Sequence, residues 1–187
     1  MLEIRWHSRA GQGAVTGAKG LGSIVAESGK QVQAFAFYGS AKRGASMTAY
    51  NRIDDKVIIN HEKYMRPEYK FILDPRHTLK DDITANGKDT TKYIITTHLS
   101  KEDLISLVPE LQDIKDRVFI LDCFQIARDT IGKAIPNTPM LGAFMKVSGM
   151  YELDYFKEKM VSVLKKLPPN LIEANMVAIQ RAYDEVH

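Results

Sequence analysis

The chain has 187 residues, 44% of them hydrophobic and 26% charged, with a formal charge of +3 and a single Cys. That length suits one domain able to bury roughly 70% of its unfolded surface without disulfide staples. One Cys excludes an internal disulfide, a thiolate zinc site and a self-contained iron–sulfur cluster, and so mild and evenly spread a charge gives no reason to expect nucleic acid as a partner.

In chain order, Leu2, Ile4 and Trp6 alternate with Glu3, Arg5 and His7, which predicts a half-buried strand. A glycine-rich turn, Arg9 to Gly13, follows it. Val15, Ala18, Leu21, Ile24 and Val25 then recur at helical spacing, and Gly29 closes that helix. QVQAFAFY reads as a second strand ending near Tyr38, the loop from Gly39 to Ala45 leads into the strand MTAYNRI, and Asp54-Asp55 turns the chain into a further strand, VIIN. YKFILD (69–74), KYIITT (92–97) and RVFILD (117–122) are apolar runs of strand length. Between the last two lies the helix KEDLISLVPELQDI, with Ser100 as its N-cap and a kink or stop at Pro109.

After Cys123 the strands cease. FQIARDTI is helical, and LGAFMKVSGM has almost no polar face, so it is either a central helix wrapped by its neighbours or an interface. Two amphipathic helices end the chain. One carries Leu153, Phe156, Met160, Val163, Leu164 and Leu167 on a stripe, the other Ile172, Met176, Ile179, Tyr183 and Val186. The expected fold class is α/β, a Rossmann-like, mostly parallel sheet with helices on both faces and a C-terminal helical extension. Residues 1–187 are expected to form a single domain, of which 124–187 are the extension. Glu3 and Arg5 interrupt the N-terminal apolar residues, unlike a secretory signal, and no run approaches a membrane span of roughly 18 apolar residues. A cytoplasmic protein is expected.

Two loops carry chemical content. Gly11, Gly13 and Gly17 make a GxGxxxG pattern between a strand and a helix, where backbone N–H groups can face a phosphate. It is one residue off the dinucleotide fingerprint, and the second strand ends without the ribose-binding carboxylate. Glycines that only permit a tight turn explain the pattern equally well. The loop YGSAKRGASM holds Ser40, Lys42 and Arg43; if strands one and two are parallel neighbours, it converges with the first turn on an anion pocket. A solvated loop with incidental charges is the competing reading. The five His residues lack metal-ligand spacing, and Cys123 reads as a buried, inert thiol.

Three segments, EIRWHSRAGQGAVTGAK, AFYGSAKRGASMTAYNRI and IPNTPMLGA, in this order and spacing, resemble the gamma subunit of the 2-oxoacid:ferredoxin oxidoreductases, that of the pyruvate enzymes most closely. The resemblance covers essentially the whole chain. It implies a subunit, inactive alone, of an enzyme that oxidatively decarboxylates pyruvate with coenzyme A, giving acetyl-CoA, carbon dioxide and reduced ferredoxin or flavodoxin. It implies alpha, beta and delta subunits as partners, which hold thiamine diphosphate, Mg and the iron–sulfur clusters, while this chain holds no metal and no catalytic residue. It further implies a shared coenzyme A site at Gly11, Gln12 and Gly13, with Lys42 and Arg43, and with Thr16 and Ser40 as neighbours. Fused enzymes of the family tend to carry two lysines where this chain has Lys42 and Arg43, and commonly an acidic residue where it has Gln12. Two alternatives stay open: a purely structural subunit, and a free-standing Rossmann-type dehydrogenase.

Overall fold

A computed structural model describes residues 1–38, 45–59, 66–80 and 82–187. The strands are β1 (Leu2–Arg9), β2 (Gln31–Tyr38), β3 (Ser46–Asp54), β4 (Tyr69–Ile72), β5 (Lys92–Thr96) and β6 (Val118–Leu121). The helices are α1 (Ala14–Glu27), α2 (Pro75–Lys80), α3 (Lys101–Leu107), α4 (Cys123–Ile131), α5 (Asn137–Ser148), α6 (Leu153–Val163) and α7 (Pro169–Glu185). Ser100 caps α3 by accepting from the Asp103 N–H, and Pro109 starts a separate 3-10 helix, Pro109–Arg117.

The strands form one sheet in the order β2-β3-β1-β4-β5-β6. The sheet is mixed rather than mostly parallel. β1, β4, β5 and β6 pair in parallel, whereas β3 lies antiparallel between β1 and β2. The cause is the short connection from Tyr38 to Ser46, which permits a hairpin but no crossover. The same insertion removes the strand expected at VIIN. Residues 57–59 form no strand, and Val57 and Ile59 are 75% and 84% exposed. Both edges of β3 are already paired, so a segment turning back after Asp54-Asp55 has no strand to join; Asn60 lies outside the described residues.

Helices cover both faces. On one, α1 and α4 to α7 pack on Ile4, Trp6, Phe71, Ile94 and Leu121. On the other, Leu104, Val108 and Leu111 cover Ile72, Tyr93, Ile95, Val118 and Ile120. Helix α5 is central. Met140, Leu141, Ala143, Phe144 and Met145 are buried, and the Phe144 ring lies 5.0 Å from Tyr69 and 5.1 Å from Phe71. Of the two expectations for LGAFMKVSGM, the wrapped core helix is therefore the one realised. In α7 the buried face adds the small residues Asn175, Ala178 and Ala182 to Ile179 and Val186 of the expected stripe, while Met176 and Tyr183 are partly buried against the same core. The reason is close approach, because an added Cβ at Gly142 of α5 would stand 2.3 Å from the Ile179 carbonyl oxygen. Only small side chains fit along that contact.

Candidate functional site

The first turn sits where β1 leaves the sheet. Gly11 and Gly13 have φ of +100° and +80°, left-handed values that L side chains rarely adopt. Gly13 is the residue preceding α1, and the Gly17 N–H donates back to its carbonyl at 2.8 Å. A Cβ on Gly13 would also stand 2.8 Å from Asn137 Cγ, so the turn packs directly on the start of α5. Two of the segments singled out in sequence thus meet in space.

The third meets them too, though not as expected. Strands β1 and β2 are not neighbours, since β3 separates them. The described residues of that third segment meet the turn because β3 begins beside Arg9: Arg9 pairs with Ser46, and the Ala10 N–H donates to the Ala45 carbonyl at 3.2 Å. Ser40, Lys42 and Arg43 lie outside the described residues. The two ends of their loop, Tyr38 and Ala45, are fixed at the carboxyl edge of β1.

Gly11, Gly13 and Thr16 line a cavity of about 530 Å³, within the range of small-ligand sites. Its other walls are mostly apolar, with Val15, Met47, Ile131, Ile135, Leu164 and Leu171 among them, and Lys133 is the cation at its rim. Ile135, Asn137 and Lys133 are site residues that sequence reasoning missed. The available signal was the pair of prolines in IPNTPM, Pro136 just before α5 and Pro139 in its first turn.

Gln12 faces away from this cavity. Its Oε1 accepts from the Arg9 N–H at 2.8 Å and from Ser8 Oγ at 3.2 Å, and its Nε2 donates to Asp74 Oδ2 at 2.7 Å. The side chain braces the turn against the end of β4. Asp74 is 1% exposed, accepts from Arg76 Nη2 at 2.8 Å, and forms an ion pair with Arg9, whose Nε lies 3.2 Å from Oδ2. Burial alone would push its carboxyl up; hydrogen bonds from the Arg76 side chain and backbone and from Gln12 outweigh that and hold it down to about 2. A depressed carboxyl stabilises the fold above its unfolded value, near 4, and loses that contribution as pH falls towards about 2. In thermal melts followed by circular dichroism, the deficit of Asp74→Asn relative to wild type should therefore shrink over that interval. A deficit independent of pH would show that the charge of Asp74 adds nothing.

Two further groups, His7 and Cys123, are shifted towards their neutral forms. His7 is pushed well down by burial, and further by Arg5, Lys70 and His77, so it is neutral at pH 7. Burial pushes the Cys123 thiol up, away from thiolate chemistry. Among the described residues no group of three or more His, Cys, Asp or Glu is placed to hold a metal ion, and no helix is long and apolar enough to cross a membrane.

Comparison with known proteins gives a consistent result. The family model described as "Pyruvate ferredoxin/flavodoxin oxidoreductase" matches residues 3–185. The chain is 37% identical over 185 residues to the pyruvate/ketoisovalerate oxidoreductases common subunit gamma of Thermococcus kodakarensis, covering 99% of this chain and 97% of that one. It is 34% identical over 186 residues to pyruvate synthase subunit PorC of Thermotoga maritima, covering 99% and 94%. The crystal structure of the pyruvate oxidoreductase subunit PORC from Thermotoga maritima superimposes with a TM-score of 0.82 at 32% identity, over 100% of this chain and 97% of that one. The same fold recurs at 17% identity and a TM-score of 0.72 in 30% of the chain of the 2-oxoglutarate:ferredoxin oxidoreductase of Magnetococcus marinus, which was solved with coenzyme A bound.

Proposed function

The chain belongs to the pyruvate ferredoxin/flavodoxin oxidoreductase family as a gamma (PorC) subunit, and from that premise we propose that it helps a larger enzyme to hold coenzyme A. The enzyme is one that converts pyruvate to acetyl-CoA and carbon dioxide and passes electrons to ferredoxin or flavodoxin. The observation that carries the reading is the cavity lined by Gly11, Gly13 and Thr16 beneath the fixed ends of the loop that bears Lys42 and Arg43. Its apolar walls suit the pantetheine arm, and the basic loop suits the phosphates. Holding the thiol there raises its effective concentration near the acyl group.

The redox and carbanion groups are assigned to alpha, beta and delta subunits. A lone, fully buried Cys123, whose N–H donates to Thr96 Oγ1 at 3.0 Å, does not fit an iron–sulfur cluster. The isolated chain should accordingly be inactive, and a cytoplasmic location follows from the same assembly. We treat residues 1–187 as one domain because a single cluster of buried side chains joins α4 to α7 with the sheet. Helix α5 is spent on that core, so contact with partners falls to other surfaces.

The test is the double variant Lys42→Ala with Arg43→Ala in the assembled enzyme. Losing two charge-assisted contacts should raise the coenzyme A requirement at least about tenfold, while thiamine-dependent decarboxylation continues. An unchanged requirement would leave the chain as a purely structural subunit. The dehydrogenase alternative is disfavoured by the topology: β2 does not adjoin β1 and ends in Tyr38, with no carboxylate to hold a ribose.

A further inference from the structure

Arg76 plays no part in the reading above, yet its geometry is that of an anion-binding residue. It follows β4 directly, at the same sheet edge as the glycine turn, because β1 and β4 are parallel neighbours and the Leu73 N–H donates to the His7 carbonyl at 2.8 Å. Its Nε and Nη2 donate to the two oxygens of Asp74 at 2.9 and 2.8 Å, a bidentate fork. Even so, its side chain is 59% exposed. Gln12 Nε2 and Arg9 Nε reach the same Oδ2 that Arg76 Nη2 reaches, so the glycine turn and Arg76 share one anchor.

Two consequences follow from elementary chemistry. Two guanidinium groups meet one carboxylate, so Asp74 by itself cannot neutralise both. The fork also occupies only one edge of the Arg76 guanidinium. Among the described residues Nη1 on the opposite edge meets no acceptor. An exposed Arg normally loses much rotamer freedom when it grips a ligand; here Asp74 has already fixed the plane, so a ligand meets a preorganised donor edge.

We infer that Arg76, oriented by Asp74, contacts a phosphate group of coenzyme A on the side of the glycine turn that Gln12 faces, outside the cavity lined by Gly11, Gly13 and Thr16. The inference rests on the coenzyme A reading and adds to it a recognition residue and the part of the ligand that it meets. Asp74 is then a positioning residue, acting through Arg76 and Gln12.

The experiment uses the assembled enzyme carrying wild-type chain, Arg76→Gln or Arg76→Lys, with coenzyme A or pantetheine as the acceptor thiol. With coenzyme A, kcat/KM should fall about tenfold in Arg76→Gln. Arg76→Lys should recover only part of this, because it keeps the charge without the fork. With pantetheine, which lacks phosphates, the loss should be much smaller. Equal losses with both thiols, or none with coenzyme A, would overturn the inference. The Lys42→Ala and Arg43→Ala double variant, run alongside, separates the two readings. If it raises the coenzyme A requirement and Arg76→Gln does not, only the present inference fails; if neither does, the coenzyme A reading itself fails.

Discussion

Replacing Gly142 by Ala is expected to destabilise the chain by about 3 kcal/mol, an overpacking cost at the upper end of the usual range. An added Cβ would stand 2.3 Å from the Ile179 carbonyl oxygen and 3.0 Å from its carbonyl carbon and Cα. The obstacle is backbone inside a helix, so no rotamer change relieves it, and α5 must move from α7 or slide along it. Both helices lie in the main core, where Phe144 and Ile179 are fully buried, so the shift spreads to the sheet. For a chain of this length the melting temperature should drop by roughly 6–12 °C. Gly20→Ala is the control. Its Cβ would meet only Val163 Cγ1, at 3.5 Å, and the gain in helix propensity should make it neutral or stabilising by up to about 1 kcal/mol. Equal melting temperatures for the two variants would refute the close approach of α5 and α7.

Trp6→Ala should cost about 4 kcal/mol. Trp6 is fully buried in β1, meets the Phe71 ring edge-on at 4.7 Å, and fills the space beside Gly17, where a Cβ would come within 2.9 Å of its six-membered ring. The indole N–H also donates to Asn51 Oδ1 at 2.9 Å inside the core. Truncation therefore opens a large void and deletes a buried donor at once. Trp6→Phe separates the two, since it keeps most of the volume and loses the donor, at about 1–3 kcal/mol. Because Trp6 is the single Trp, unfolding of these variants must be followed by circular dichroism rather than by indole emission. A loss below about 1 kcal/mol for Trp6→Ala would mean that the core does not centre on β1.

Local features were legible in the sequence because local chemistry determines them. The alternation of Leu2 to His7, the cap at Ser100, the break at Pro109 and the left-handed Gly29 each follow from one or two neighbouring residues. Long-range pairing was not legible. Nothing in QVQAFAFY or MTAYNRI states that the second of these lies between the first and β1, and that fact produces the mixed sheet, leaves residues 57–59 without a strand to join, and brings Ala45 to the turn. In α7, periodicity found Ile179 and Val186 of the buried face but not Asn175, Ala178 and Ala182 beside them. Small residues at that spacing, opposite a lone Gly142, were the available clue. Of the predicted site, Gly11, Gly13 and Thr16 come together on one cavity. Gln12 does not line that cavity, and its partner Asp74 is remote in sequence, as is Asn137 from the Gly13 it packs on.

The position of β1 also has a bearing on how the chain acquires its fold. The earliest strand in the sequence is the innermost of its half of the sheet, and Ile4 pairs with Asn51 on one side and Tyr69 on the other. While β2 and β3 can zip together as a hairpin as soon as both exist, β1 must close two long loops before either of its edges is satisfied. On a ribosome it would emerge before both of its partners and be paired late, with Ile4 and Trp6 exposed in the interval. Insertion of β1 between a preformed β2–β3 hairpin and β4 is then the expected slow step of refolding.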